Sequence, residues 1–352
     1  MNPDNEPIAI IAGARPNFMK VSPLCRELEK QKIAYRLINT GQHFNADMSG
    51  SFFKEFHLQP HYNLHPSHNS IIRQFADIMV GLEEIFLREH FSLVVVVGDV
   101  NSTLAGALTA YKMNIPLVHV EAGLRAYNNQ MPEEINRVIT DRLSSMLFTS
   151  SDEAIANLRK EGVTENVHPV GNIMIDTLEM FLPQVKKTNE IFYFCTLHRA
   201  ENVDSPAILS EIVQALAEIA RDAIIYLPLH PRTKKMAQAY GLLERLRTSV
   251  HLLEPLGYQE SLYYQKNARL VLTDSGGIQE ETSYLGTPCI TLRTETERPV
   301  TVTHGTNTIG GVTKVSILQA YRAKDLTKKK TAIPYWDGKT SKRIVDSIKK
   351  VL

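Results

Sequence analysis

The chain has 352 residues, 43% hydrophobic and 22% charged, which excludes a disordered chain and suggests two domains of about 150 residues each. Lys plus Arg total 39 and Asp plus Glu 38, a net charge of +1 that leaves no electrostatic footprint for nucleic acid or an anionic membrane. Three scattered cysteines, Cys25, Cys195 and Cys289, form neither a disulfide framework nor a zinc pattern, and are expected as buried residues of a reducing cytosol. The polar stretch 1–7 does not read as a signal peptide, and the longest apolar run, 93–97, is far too short to span a bilayer, so a cytoplasmic chain is expected.

Short runs rich in Val, Ile and Leu recur at 8–12, 35–38, 93–97, 117–120, 146–148, 191–195, 224–227, 250–253, 270–272 and 289–292. Continuous apolar runs fit strands buried on both faces, as in parallel sheets. Between them, 71–89 reads as a helix with Ile72, Phe75, Ile78, Met79, Leu82 and Ile85 on its apolar side. A second helix is expected over 206–220, with Ser205 as N-cap and Pro206 in its first turn. His57, His61, His65 and His68 mark a loop. The tail 340–352 suggests an amphipathic helix with Ile344, Ile348 and Val351 on one face, packing back on the first domain. The strand–helix alternation predicts an α/β chain of two Rossmann-like, doubly wound domains, at 1–170 and 185–330. The break is placed where Pro183 and Lys186-Lys187-Thr188-Asn189 read as linker.

In open α/β sheets, ligands bind beyond the carboxyl ends of the strands, so the polar residues that follow each run are the candidate site. The sharpest group is Thr273-Asp274-Ser275-Gly276-Gly277, between a strand and a helix expected over 278–285. Adjacent glycines let the backbone approach a ligand, and first-turn N–H groups point at an anion. A tight turn explains two glycines equally well, and the loop matches neither a Walker P-loop nor a full dinucleotide fingerprint. Glu281 falls about one helical turn further on, within reach of a ribose. Arg15 and Lys20 follow the first strand and suit an anion, or simply a solvated helix start. Asp99, Glu121 and Glu133 are three carboxylates near strand ends or the adjoining loop, suited to proton transfer at one sugar carbon. The plainer reading of Asp99 and Glu121 is capping, or pairing with Arg125 and Arg137. His198, in His198-Arg199-Ala200-Glu201, is suited to protonating or binding a phosphate; His43, His119 and His230 are less pointed. No spacing suggests a metal site.

Together these motifs resemble the non-hydrolysing UDP-N-acetylglucosamine 2-epimerases over almost the whole chain. The resemblance rests on Gly13-Ala14-Arg15-Pro16, Thr40-Gly41-Gln42-His43, Gly98 through Thr103, His119 through Arg125 and Pro132 through Arg137. It continues through Val170-Gly171-Asn172, Leu197 through Asn202, Thr273 through Glu281 and Thr296-Glu297-Arg298-Pro299. It implies a glycosyltransferase-B type fold with the active site in an interdomain cleft, and reversible interconversion of UDP-GlcNAc and UDP-ManNAc through a glycal. By the resemblance Arg15, His198, Ser275, Gly276 and Gly277 hold the diphosphate and Glu281 the ribose. Asp99, Glu121 and Glu133 are then the acid/base carboxylates, organised by Lys20 and Arg137. It implies no cofactor or metal, a UDP-sugar partner and a homodimer, with products entering cell-surface polysaccharide. Two arginines of a second, activating substrate site of many bacterial members are replaced here by Asp77 and Ala200, so weak or absent activation is expected. The alternatives are epimerisation of UDP-2,3-diacetamido-2,3-dideoxyglucuronate, which the His198-Arg199-Ala200-Glu201 variant resembles, a glycosyltransferase of the same fold, and a non-catalytic UDP-sugar sensor.

Overall fold

The computed structural model describes residues 6–42, 53–128 and 130–352; most of the N-terminal stretch 1–7 and His43 lie outside them. The chain divides into two compact units, 1–177 with 334–352, and 178–333. Each is a parallel sheet with helices between its strands. The division falls inside the helix Ile173–Phe181.

The first unit holds a seven-stranded sheet in the order β3-β2-β1-β4-β5-β6-β7. Its strands are β1 (Ile8–Ala12), β2 (Tyr35–Asn39), β3 (Tyr62–Asn63), β4 (Leu93–Val97), β5 (Leu117–Ala122), β6 (Met146–Thr149) and β7 (Val167–Pro169). Every residue of β1, β4 and β5 is buried, because helices cover both faces. Ile78, Leu82 and Ile85 of the helix Ile71–Arg88 pack against Val94, Val96 and Ile11. Ile72, expected on that apolar side, is instead 79% exposed, because the buried stripe runs through positions 78, 82, 85 and 86. The C-terminal helix Thr340–Ile348 contacts the helix Arg15–Lys30. Asp176 accepts the amides of Thr340 and Ser341 at 3.0 and 2.7 Å, supplying the cap that this helix lacks from its own Lys339. Ile344 and Ile348 are fully buried, whereas Val351, beyond the helix end, is exposed.

The second unit holds a six-stranded sheet in the order β10-β9-β8-β11-β12-β13. The strands are β8 (Phe192–Thr196), β9 (Ile224–Pro228), β10 (His251–Leu253), β11 (Leu270–Thr273), β12 (Cys289–Thr291) and β13 (Asn307–Ile309). Leu209, Ile212, Val213 and Leu216 of the helix Pro206–Ile219 cover one face with Leu227 and Leu272, each such side chain contributing about 1.5–3 kcal/mol. The Ser205 hydroxyl accepts the Ile208 amide at that helix's start. Phe192, Phe194 and Val271 face the opposite side, with Tyr264. All three cysteines are buried. Among the described residues, no helix is long and apolar enough to cross a membrane, and no group of three His, Cys, Asp or Glu is arranged to hold a metal ion.

Candidate active site

In the first unit the polar residues gather where β1, β4 and β5 end. β5 keeps a regular register with β6 up to Val120 and slips before Ala122. Glu121 sits in that irregularity with φ +71°, a left-handed conformation that is costly for a side-chain-bearing residue. The kink turns a carboxylate toward Lys20 of the helix Arg15–Lys30, and the two form an ion pair, largely buried. Gly98, at φ +67°, lies directly beneath: a Cβ there would meet Lys20 Nζ at 3.1 Å and Glu121 Oε2 at 3.7 Å. Asn17 secures the floor by donating to the Val97 carbonyl at 3.0 Å.

Asp99, the next residue, is gripped from the helix Pro132–Leu143. Arg137 donates to Asp99 Oδ2 from Nε at 2.9 Å and from Nη2 at 2.6 Å, and Asn136 donates to the Asp99 carbonyl at 2.8 Å. Arg137 also binds Glu134 at 2.8 Å, while Glu134 accepts the amides of Ala126 and Tyr127. Glu134 is therefore committed to the scaffold. Glu133, its neighbour in the first helical turn, points outward and is exposed. Arg15 is exposed at the first position of the helix that carries Lys20. The plainer sequence reading is thus half met. Asp99 does pair with Arg137, but Glu121 pairs with Lys20, because Arg125 is occupied by Asp141 and Glu161 at 2.7 Å each.

In the second unit the ends of the neighbouring strands β8 and β11 bring His198 beside the Ser275-Gly276-Gly277 turn. The helix Gly276–Leu285 begins on the two glycines, with Ser275 as N-cap and no side-chain hydrogen bond closing the cap. The space over Gly276 and Gly277 is open. Asp274 is fully buried and organises both sides. Its Oδ2 accepts the amides of His198 and Arg199 at 2.9 Å, and its Oδ1 lies 3.1 Å from His198 Nδ1. Burial pushes this carboxyl upward, but the bond and charge of His198 and the two amides outweigh it and hold Asp274 below the usual range. The ring of His230 lies 5.7 Å from that of His198.

Glu281 follows a turn later but faces inward. Tyr258 Oη and Gln265 Nε2 each donate to it at 2.8 Å, and burial pushes its carboxyl up to about 7. Glu201 and Glu297 both pair with Arg293, and Arg298 pairs with Glu280. Those motif residues are tied into a salt-bridge cluster of the second unit. Asn17 and Asn136 were given no part in the site by sequence reasoning, and Gly98 and Asp274 entered it only as members of strand-end motifs, without the roles seen here. Asn136 lies within the motif Pro132 through Arg137, whereas Asn17 falls one residue beyond Gly13-Ala14-Arg15-Pro16.

The UDP-N-acetylglucosamine 2-epimerase family model matches residues 26–349. UDP-N-acetylglucosamine 2-epimerase from Methanocaldococcus jannaschii is 41% identical, over 96% of this chain and 97% of its own. UDP-2,3-diacetamido-2,3-dideoxy-D-glucuronate 2-epimerase from Pseudomonas aeruginosa is 38% identical, over 98% of this chain and 99% of its own. A crystal structure of the Methanocaldococcus jannaschii UDP-GlcNAc 2-epimerase in complex with UDP-GlcNAc and UDP superposes with a TM-score of 0.87 at 40% identity, covering 97% of this chain and 99% of that one. MurG from Acinetobacter baumannii, only 11% identical, shares the fold with a TM-score of 0.60, over 98% of this chain and 99% of its own. The architecture is of the glycosyltransferase-B type.

Proposed function

The chain belongs to the UDP-N-acetylglucosamine 2-epimerase family, and from that premise we propose that it reversibly interconverts UDP-GlcNAc and UDP-ManNAc. The observation that carries this reading is the pair of strand-end carboxylates, Asp99 and Glu121, each facing its own cation across Gly98.

The C2–H bond of the sugar is poorly acidic, so its proton leaves only as the C1–O bond to UDP breaks. A carboxylate takes the proton, the C–H electron pair becomes the C1–C2 double bond, and UDP departs with the C1–O pair. Return of a proton to the opposite face of C2 and of UDP to C1 completes the inversion. Asp99, Glu121 and Glu133 are the acid/base candidates; Arg137 and Lys20 hold the first two in place and balance their charge. Developing charge on the departing diphosphate calls for positive groups and N–H donors. Ser275, Gly276 and Gly277 supply a helix start, with His198 beside it and Arg15 adding a guanidinium. The resemblance assigns the ribose to Glu281 of the same helix, although its carboxylate here faces inward onto Tyr258 and Gln265, so contact with a ribose needs an approach from that buried side.

The Pseudomonas aeruginosa relative favours a second reading, the same inversion on UDP-2,3-diacetamido-2,3-dideoxyglucuronate. Offering both nucleotide sugars and following products by proton NMR decides between them. Conversion of UDP-GlcNAc to UDP-ManNAc, and of UDP-ManNAc back, supports the first. Turnover of the uronate alone supports the second, and release of free ManNAc with UDP contradicts both.

A further inference from the structure

His119 is fully buried on β5, two residues before Glu121. Its Nε2 lies 2.8 Å from the carbonyl oxygen of Gly98, and its Nδ1 lies 2.6 Å from Asp141 Oδ1. The other oxygen of Asp141 accepts the Gly123 amide at 3.1 Å and Arg125 Nη2 at 2.7 Å. Arg125 in turn binds Glu161. A carbonyl oxygen can only accept, so Nε2 donates. Burial pushes the Asp141 carboxyl upward, but the charges and hydrogen bonds of His119 and Arg125 outweigh it and hold it below the usual range. Its oxygens therefore accept as well, and Nδ1 also donates. The charged groups in contact balance: His119 and Arg125 against Asp141 and Glu161.

The two turns joined in this way are those that carry Asp99 and Glu121. Gly98 directly precedes Asp99, and Gly123 closes the irregular turn that begins at Glu121; both glycines have positive φ. We propose that His119 and Asp141 are positioning residues: a buried imidazolium–carboxylate pair that clamps the Gly98 and Gly123 peptides and so fixes the separation of the Asp99 and Glu121 carboxylates. The pair is remote from solvent and reaches the chemistry only through those peptides. Its link to turnover rests on the epimerase reading above.

The test combines two measurements. Nitrogen NMR of ring-labelled full-length protein at pH 7 is expected to find protons on both nitrogens of His119; one unprotonated nitrogen overturns the proposal. Kinetics of His119→Phe are expected to show kcat down about a hundredfold with the Kd for UDP unchanged, as misplacement of reacting groups requires. Asp141→Asn can still bind Nδ1 through its amide and keep the Gly98 bond, so its loss is expected to be smaller. Folded variants with normal kcat overturn the proposal. If neither variant folds, the wild-type ring signals decide. A wild-type protein that turns over no UDP-HexNAc counts against the epimerase reading, whereas the ring signals judge the clamp separately.

Discussion

Asp274 stands beneath His198, with Oδ1 3.1 Å from the ring Nδ1 and Oδ2 on the His198 amide at 2.9 Å. The negative charge of this carboxylate sits beside Nδ1, while Nε2 is on the opposite side of the ring. Asp274→Asn preserves an oxygen for the amides of His198 and Arg199 but removes the negative charge beside Nδ1. Turnover is expected to fall about a hundredfold or more while the protein still folds. Normal kcat in the folded variant would remove Asp274 from this role.

Gly98→Ala tests the floor of the first unit's carboxylate pair. A left-handed alanine costs about 1–2 kcal/mol. The added methyl also meets Lys20 Nζ at 3.1 Å, inside the Lys20–Glu121 pair. The expected outcome is a slightly lower melting temperature and a large loss of kcat, with UDP affinity retained because none of the groups assigned to the nucleotide (Arg15, His198, Ser275, Gly276, Gly277 and Glu281) meets the added methyl. Loss of UDP affinity equal to the loss of kcat would contradict that separation of roles.

Glu281→Gln predicts a pH-dependent gain in stability. Burial raises this carboxyl from 4.5 to about 7, so the folded state binds its proton more tightly than the unfolded chain. The benefit is fully present below pH 4.5 and is lost as pH rises through about 7, leaving a penalty on the order of 3 kcal/mol in alkaline solution. Glutamine removes that penalty. Gln265 Oε1 has no hydrogen-bond partner and can accept the new amide after a flip. Melting curves should show the variant more stable than wild type at pH 8 and equal near pH 4.5. Equal stability at both pH values would contradict the buried charge. A weaker Kd for UDP would separately support the ribose contact.

The fold was legible because helices cover both faces of β1, β4 and β11, which forces unbroken apolar runs. Tyr62–Asn63, Val167–Pro169 and Asn307–Ile309 were missed because these short edge strands hold at most one aliphatic residue each, unlike the edge strand His251–Leu253, whose Leu252 and Leu253 follow Val250. Tyr62–Asn63 lies within the histidine-bearing stretch read as loop. The positions of Asp99 and Glu121 at strand ends were readable, as was Arg137 as a partner, but residue chemistry alone offered Arg125 or Arg137, not Lys20, to Glu121. Lys20 reaches Glu121 across 101 residues: the kink at Glu121 turns the carboxylate toward it, while Asp141 and Glu161 occupy Arg125, four residues away. Nothing local marks Asp141, on the helix Pro132–Leu143, because its partner His119 lies 22 residues away on β5.

The second substrate site expected from some bacterial relatives needs guanidinium groups at two positions. Asp77 instead accepts the Ser67 amide at 3.0 Å, and Ala200 is exposed. Initial rates against UDP-GlcNAc concentration are therefore expected to be hyperbolic. Strongly sigmoidal rates would show that activation persists without those arginines.

The most direct test follows hydrogen at C2. Protein incubated with UDP-GlcNAc in deuterated water is expected to place deuterium at C2 as UDP-ManNAc accumulates, and Asp99→Asn to abolish both while binding UDP normally. Epimerisation with the C2 hydrogen fully retained, or no exchange with any UDP-HexNAc, would contradict proton transfer by the strand-end carboxylates.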